Sequence, residues 1–231
     1  MPVKQKPRAA LVIFARAPQL GSVKTRLVPP LSPAQALSFH MACLESTARL
    51  TASMPQRIEK WLYLTAGAAV GRRQIHLPFS LHRGKQRGSD LGRRLEAALR
   101  ERQREGADRV VVIGSDCPLL SPRLLRQAFS ALESASAVLG PARDGGFYLI
   151  GLALPRPKLR GLFDRVAWGG PRAFRQVRAR LQAAGLRVAR LPGLYDVDTA
   201  AELKRMARDL KQRRSRHLAP LRAWFRQVRP D

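Results

Sequence analysis

An α/β domain on a mostly parallel central sheet is the fold the sequence predicts, and three observations predict it. Short apolar, β-rich runs alternate with amphipathic stretches of helical length. Two of the runs, residues 10–15 and 109–114 (RVVVIG), are almost wholly apolar and read as buried strands. With 231 residues, 45% of them hydrophobic, the chain suits one generous core and is short for two.

In chain order, residues 10–15 form the first strand and a Gly/Pro-punctuated loop runs from 16 to 33. Helical spacing then places Ala36, Leu37, His40, Met41, Leu44 and Thr47 on one face. Residues 58–64 read as a second strand and 75–81 as a weaker one. Asp90 opens a helix to about Gly106, with Leu91, Leu95, Ala98 and Leu99 inward. Beyond the strand at 109–114, Ser121-Pro122 caps a helix through Leu132, proline standing in the first turn where its missing N–H costs nothing. Residues 137–140 and 147–152 flank the turn Asp144-Gly145-Gly146 as strands. Residues 171–184 read as helix, 187–191 as strand, and 199 to about 210 as a helix capped by Thr199 or Asp198.

From Lys211 the chain turns strongly basic, yet Leu221, Trp224, Phe225 and Val228 fall at i, i+3, i+4 and i+7. That stripe reads either as a terminal helix docked on the domain or as a basic anchor for peripheral contact with an acidic surface; helical stripes are as a rule core. The expected division is one domain over 1–210 and a basic amphipathic helix over 211–231.

The charge is the loudest compositional feature: 43 basic against 16 acidic residues, a net +27. Only eight of the basic residues are lysine, and the 35 arginines are spread along the chain as a GC-rich coding sequence spreads them. Aromatic residues make up 6%, so no stacking platform for single strands is visible, and nucleic acid is not the expected partner. Phosphate-bearing small molecules remain compatible with the charge. The longest apolar run, residues 9–15, is stopped by Arg16, well short of the ~20 residues a bilayer span needs. The basic N-terminus leads no secretory signal, and Cys43 and Cys117 match neither a metal spacing nor a disulfide framework, so a cytoplasmic location is expected.

Three segments carry candidate chemistry. The loop after the first strand holds Arg16, Lys24 and Arg26 around Gly21, at the carboxyl edge where parallel sheets bind ligands; it offers cations and backbone donors to phosphate, though without P-loop spacing. Gly114-Ser115-Asp116-Cys117-Pro118 sets a carboxylate just past a Val/Ile strand, where it either caps a turn or holds a hard cation. Cys117 reads as packing. In Tyr195-Asp196-Val197-Asp198-Thr199 two acids one residue apart project together if extended, and Asp198 doubles as a helix-cap candidate. Asp116, Asp196 and Asp198 are thus the cluster to test for Mg²⁺ or Mn²⁺. Gln86, Gly88 and Asp90 lie at a glycine-punctuated helix entry able to offer backbone donors, and Asp144-Gly145-Gly146 sets an acid and two permissive glycines before a strand. The four histidines read as structural.

Jointly, IFARAPQLGSVKTRLVPPL, QRGSDLGRR, GSDCPLLSPRLL, LGPARDGGFYLIGL and the late DVDT resemble nucleotide-diphospho-sugar transferase-like proteins known as glycosyltransferases of the arsenosugar-biosynthesis type. The resemblance runs from the first strand to the helix after Asp198. It implies a single-domain GT-A fold, a Rossmann-like α/β sandwich, and Mg²⁺-dependent glycosyl transfer from an NDP-sugar to a small acceptor. It also implies nucleotide contacts at Ala15, Arg16, Gly21, Lys24, Thr25, Arg26, Gln86, Gly88, Asp90 and Ser115. Substrate contacts fall at Asp144, Gly145, Gly146 and Trp168, and catalytic roles at Asp116, Lys24, Arg26 and Asp144. A more distant similarity to phospholactate or phosphoenolpyruvate guanylyltransferases implies nucleotidyl transfer with pyrophosphate release, with Asp116, Asp196 and Asp198 as metal carboxylates. Two departures stand out: Gly114 occupies the place of the first acid of a GT-A Asp-x-Asp, and Gly169-Gly170 stand where a hydroxyl residue is expected. A non-catalytic nucleotide or anion binder is the third reading.

Overall fold

The computed structural model describes residues 8–66, 77, 81–154 and 158–228. Seven strands form one sheet in the order β3-β2-β1-β4-β6-β5-β7. They are β1 (Ala9–Ala15), β2 (Ile58–Leu64), β3 (His82–Lys85), β4 (Arg109–Gly114), β5 (Ala137–Pro141), β6 (Phe147–Ala153) and β7 (Val188–Arg190). All pairings are parallel except those of β6, which runs antiparallel to both β4 and β5. The turn at Asp144-Gly145-Gly146 explains the exception, because a short connection can join only antiparallel strands. Most of the expected strand at 75–81 lies outside the described residues; the third strand seen is His82–Lys85, just beyond it, where no element is expected from the sequence.

Central β1 is buried along its whole length, as a strand covered on both faces must be. Leu11 and Ile13 point to one layer with α1 (Pro33–Ala52) and α3 (Pro122–Ser134), where they meet Leu44, Ala48, Leu125 and Phe129. Ala10 and Val12 point to the other, with α2 (Leu91–Arg104) and α4 (Ala173–Ala183), and meet Leu95, Leu99, Val177 and Leu181. Leu91, expected inward, is 37% exposed, since it sits in the first turn of α2 at the cleft mouth.

A third cluster joins α1 to α5 (Ala200–Lys211) and α6 (Ala219–Val228). α6 lays Leu221 and Trp224 against Phe39, and the Trp224 indole donates to Ser38 Oγ at 2.8 Å. The Ser46 hydroxyl donates to the His217 carbonyl at 2.6 Å. This second layer buries Phe39, Cys43 and Ser46 on the side of α1 turned away from its predicted face. No helix among the described residues is long and apolar enough to cross a membrane.

Candidate active site

Because β1 leads outward to β2 while the chain returns to β4 on its other side, the carboxyl ends of β1 and β4 open a crevice at the switch point of the sheet. Three loops meet there: residues 16–32 after β1, 115–121 after β4, and 191–199 after β7. The Val197 N–H donates to the Asp116 carbonyl at 3.0 Å, so Asp196 and Asp198 flank the backbone of Asp116.

The two acids then part. Asp198 faces a hollow lined also by Arg16, Val23, Lys24, Thr25, Arg26, His40 and Asp116. Asp196 faces a larger cavity of about 320 Å³, lined by Ala15, Thr65, Gln86, Arg94, Phe147 and Tyr148 among others. Asp116 and Arg16 border both. The helix cap decides which acid is free: Thr199 accepts from the Glu202 N–H while Glu202 accepts from the N–H groups of Asp198 and Thr199, a capping box that releases the Asp198 side chain. Of the two cap candidates the structure gives Thr199 the cap; of the three expected metal carboxylates it brings Asp198 to Asp116 across Lys24 and turns Asp196 toward the other cavity. Among the described residues, no three His, Cys, Asp or Glu side chains converge as a metal-ligating group.

Lys24 joins Asp116 to Asp198. Its ammonium pairs with the Asp116 carboxylate, donates to Asp198 Oδ1 at 3.0 Å and to the Val197 carbonyl at 2.9 Å, and is 3% exposed. Burial alone would push the Lys24 pKa down, but the Asp116 and Asp198 carboxylates more than reverse this and hold it above its usual range. Burial likewise pushes the Asp116 carboxyl up, and the Lys24 ammonium outweighs it, holding the group ionised below the usual carboxylate range. Lys24 is therefore engaged by carboxylates, where the sequence reading gave it to phosphate. Arg16 and Arg26 are the exposed cations of the same hollow.

Asp196 behaves differently. Burial raises its pKa to about 7, aided by the charges of Asp144, Asp116 and Asp198 and opposed by the Cys117 thiol, which donates to Oδ1. Burial, followed by the Asp196 charge, pushes the Cys117 thiol well up, so it is no nucleophile. His40, expected to be structural, lines the hollow, and its Nε2 meets the Arg16 carbonyl at 3.1 Å. Burial lowers its pKa and keeps it neutral. Its signal was present in the sequence, since it lies on the inward face of the helix that follows the phosphate-type loop.

The remaining candidates divide. Ala15 ends β1, and its carbonyl accepts from Thr65 N–H and from Gln86 Nε2, which also donates to the Tyr63 carbonyl. Asp90 is the N-cap of α2 and accepts from Arg93 N–H; the Gly88 carbonyl accepts from Arg94 Nε. Ser115 Oγ is buried with no hydrogen-bond partner among the described residues. Thr25 lines the Lys24 hollow, whereas Gly21 stands on the exposed part of the loop. In the turn, the Asp144 carboxylate accepts from Gly146 N–H at 2.8 Å. Gly145 is held at φ +90 with the Pro171 carbonyl oxygen 2.0 Å from where a Cβ would stand, so only glycine fits. Trp168 does not line the central crevice: it packs on Gly92 and edge-on to Phe147, beside a separate hollow between Asp90, Arg93 and Asp164.

The sequence profile of a family described as "Uncharacterized protein conserved in bacteria (DUF2064)" matches residues 49–170. No curated protein matches the chain. Among solved structures, a protein from Desulfovibrio desulfuricans G20, provisionally described as a nucleotide-diphospho-sugar transferase, is 30% identical. That match covers 96% of this chain and 98% of the other, at a TM-score of 0.85. A cytidylyltransferase from Leptospira borgpetersenii serovar Hardjo-bovis (strain JB197) is 14% identical over 97% and 94% of the two chains, at 0.59. Rv0371c from Mycobacterium tuberculosis H37Rv, solved in complex with manganese, is 17% identical over 86% and 97%, at 0.52. The last two share the fold alone.

Proposed function

The chain belongs to the DUF2064 family, and from that premise we propose that it is a divalent-metal-dependent transferase that moves the glycosyl group of a nucleotide-diphospho-sugar to a small acceptor. The observation that carries the proposal is the gathering of Asp116 and Asp198 beside Arg16 and Arg26 at the switch point of the sheet. The 30% identical relative, with its provisional sugar-transferase description, supports the same reading over nearly the whole chain.

The donor set suits a hard cation: two carboxylates already drawn around one positive charge, beside a rim able to hold phosphate oxygens. Asp116 and Asp198 would hold Mg²⁺ or Mn²⁺, which when bound offsets the charge that builds on a departing diphosphate. Arg16 and Arg26 bind the phosphate oxygens from the open side. His40, neutral and hydrogen-bonded to the Arg16 carbonyl, holds the start of that loop in place. The larger cavity, floored by Phe147 and Tyr148 and bordered by Gln86 and Thr65, takes the nucleoside or sugar. The bond between sugar C1 and the diphosphate oxygen breaks while an acceptor oxygen bonds to C1. The acceptor's proton passes to water; Asp144, expected as a catalytic carboxylate, lines neither hollow and accepts from the Gly146 N–H in its own turn.

One observation favours a second reading. Asp116 stands alone at the strand end, with Gly114 in place of a first acid, as suits nucleotidyl transfer with pyrophosphate release. Incubation with Mg²⁺ and either NDP-sugars or NTPs and phosphorylated small acids decides between them. Release of free NDP supports glycosyl transfer and release of pyrophosphate the second reading. In either case Asp116→Ala should abolish turnover, and turnover that survives it refutes the site.

A further inference from the structure

Lys24 stands between two carboxylates of the crevice, Asp116 and Asp198. An ammonium has three hydrogens, and here each has an acceptor: Asp116, Asp198 Oδ1 and the Val197 carbonyl. The residue is held at φ 50, ψ 35, a left-handed conformation that side chains other than glycine adopt only where their surroundings impose it. Two carboxylates and one ammonium leave a single excess negative charge. A divalent ion added beside a stationary ammonium would meet like-charge repulsion at a few ångströms and would find the facing carboxylate oxygens already engaged.

We infer that Lys24 is a resident placeholder cation: a divalent metal binds Asp116 and Asp198 fully only when the ammonium leaves them, and the diphosphate of the nucleotide receives it. Metal and diphosphate therefore bind cooperatively, and metal alone binds weakly. Arg16 and Arg26 remain on the rim throughout and supply the first attraction for phosphate. The inference rests on the proposed metal role of Asp116 and Asp198.

The test is Mn²⁺ binding to the full chain without phosphate, measured by calorimetry and by the loss of the free-Mn²⁺ electron-spin signal. Lys24→Met keeps the length of the stem and removes the charge; its Mn²⁺ affinity should exceed that of the wild type by about tenfold or more. Lys24→Arg, which keeps a cation, should show no gain. With pyrophosphate as probe, and its solution complex with Mn²⁺ subtracted, the enhancement of Mn²⁺ binding in the wild type should shrink in Lys24→Met. Lys24→Gln serves in its place where the methionine variant does not fold. An affinity in the neutral variants equal to or below that of the wild type overturns the placeholder role. Asp116→Asn separates the two levels. Mn²⁺ binding that survives it overturns the metal site and this inference together, whereas binding lost there but not raised in the Lys24 variants overturns only the inference.

Discussion

Trp224→Ala tests whether the basic C-terminal segment is part of the machinery. The indole is 4% exposed, its ring lies 4.8 Å from that of Phe39 and 5.0 Å from that of Phe225, and its N–H donates to Ser38 Oγ. Truncating a buried tryptophan to alanine costs about 3–5 kcal/mol through lost burial and the cavity left behind. The hydrogen bond adds little, because Ser38 is exposed and water can replace the indole. Against a total stability of roughly 5–15 kcal/mol this is a large fraction. With an m-value of about 3 kcal/mol/M, the urea midpoint should fall by roughly 1–1.7 M. The same cluster contains Leu27 and Leu31 from the β1–α1 loop and Val197 from the β7–α5 loop. Loosening it should therefore also weaken Mn²⁺ binding to Asp116 and Asp198. A midpoint shift under 0.3 M (about 1 kcal/mol or less), or a chain ending at residue 211 that melts like the full protein, would refute the reasoning.

Three further outcomes follow from individual geometries. Gly145→Ala forces a Cβ into the left-handed region and onto the Pro171 carbonyl, and should cost about 2 kcal/mol or more, a fall in melting temperature of roughly 4–8 °C; an unchanged melt contradicts it. Asp196 titrates at about 7 when folded against 3.8 as its ordinary value, so its protonated form is favoured in the native state. The stability this supplies is complete below about pH 4 and lost as pH rises through 7; Asp196→Asn should flatten that loss and gain about 2–4 kcal/mol at pH 8, read from urea midpoints at several pH values. Arg26→Ala should weaken nucleotide binding about tenfold while leaving Mn²⁺ affinity of the free protein unchanged, measured by calorimetry. Loss of Mn²⁺ binding there would place Arg26 among the groups that organise the carboxylates.

The elements were legible in the sequence because their signals are local. Runs such as RVVVIG, the Ser121-Pro122 and Thr199 caps, and the Asp144-Gly145-Gly146 turn each act within a few residues, and β1, β2, β4 and α3 stand where those signals put them. β3 was missed because His82–Lys85 is mostly exposed and polar, and becomes a strand only by pairing with β2. The burial of a second side of α1 was likewise invisible, since the cover comes from α6, nearly two hundred residues away.

For the site, the local sequence supplies the groups: three cations after the first strand, a carboxylate after the fourth, and two more before a late helix. It could not determine their partners. Spacing cannot tell a carboxylate that caps a helix from one that binds a cation, and Glu202 settles that only by closing the capping box with Thr199. Nor does any local signal bring Lys24 against Asp116 and Asp198, which lie 92 and 174 residues further along the chain. Those pairings, the carboxylates that keep buried Lys24 charged, and the burial that keeps Asp196 protonated near neutrality exist only where separate loops are packed at one sheet edge, because electrostatic energies depend on distance in space and on the exclusion of water.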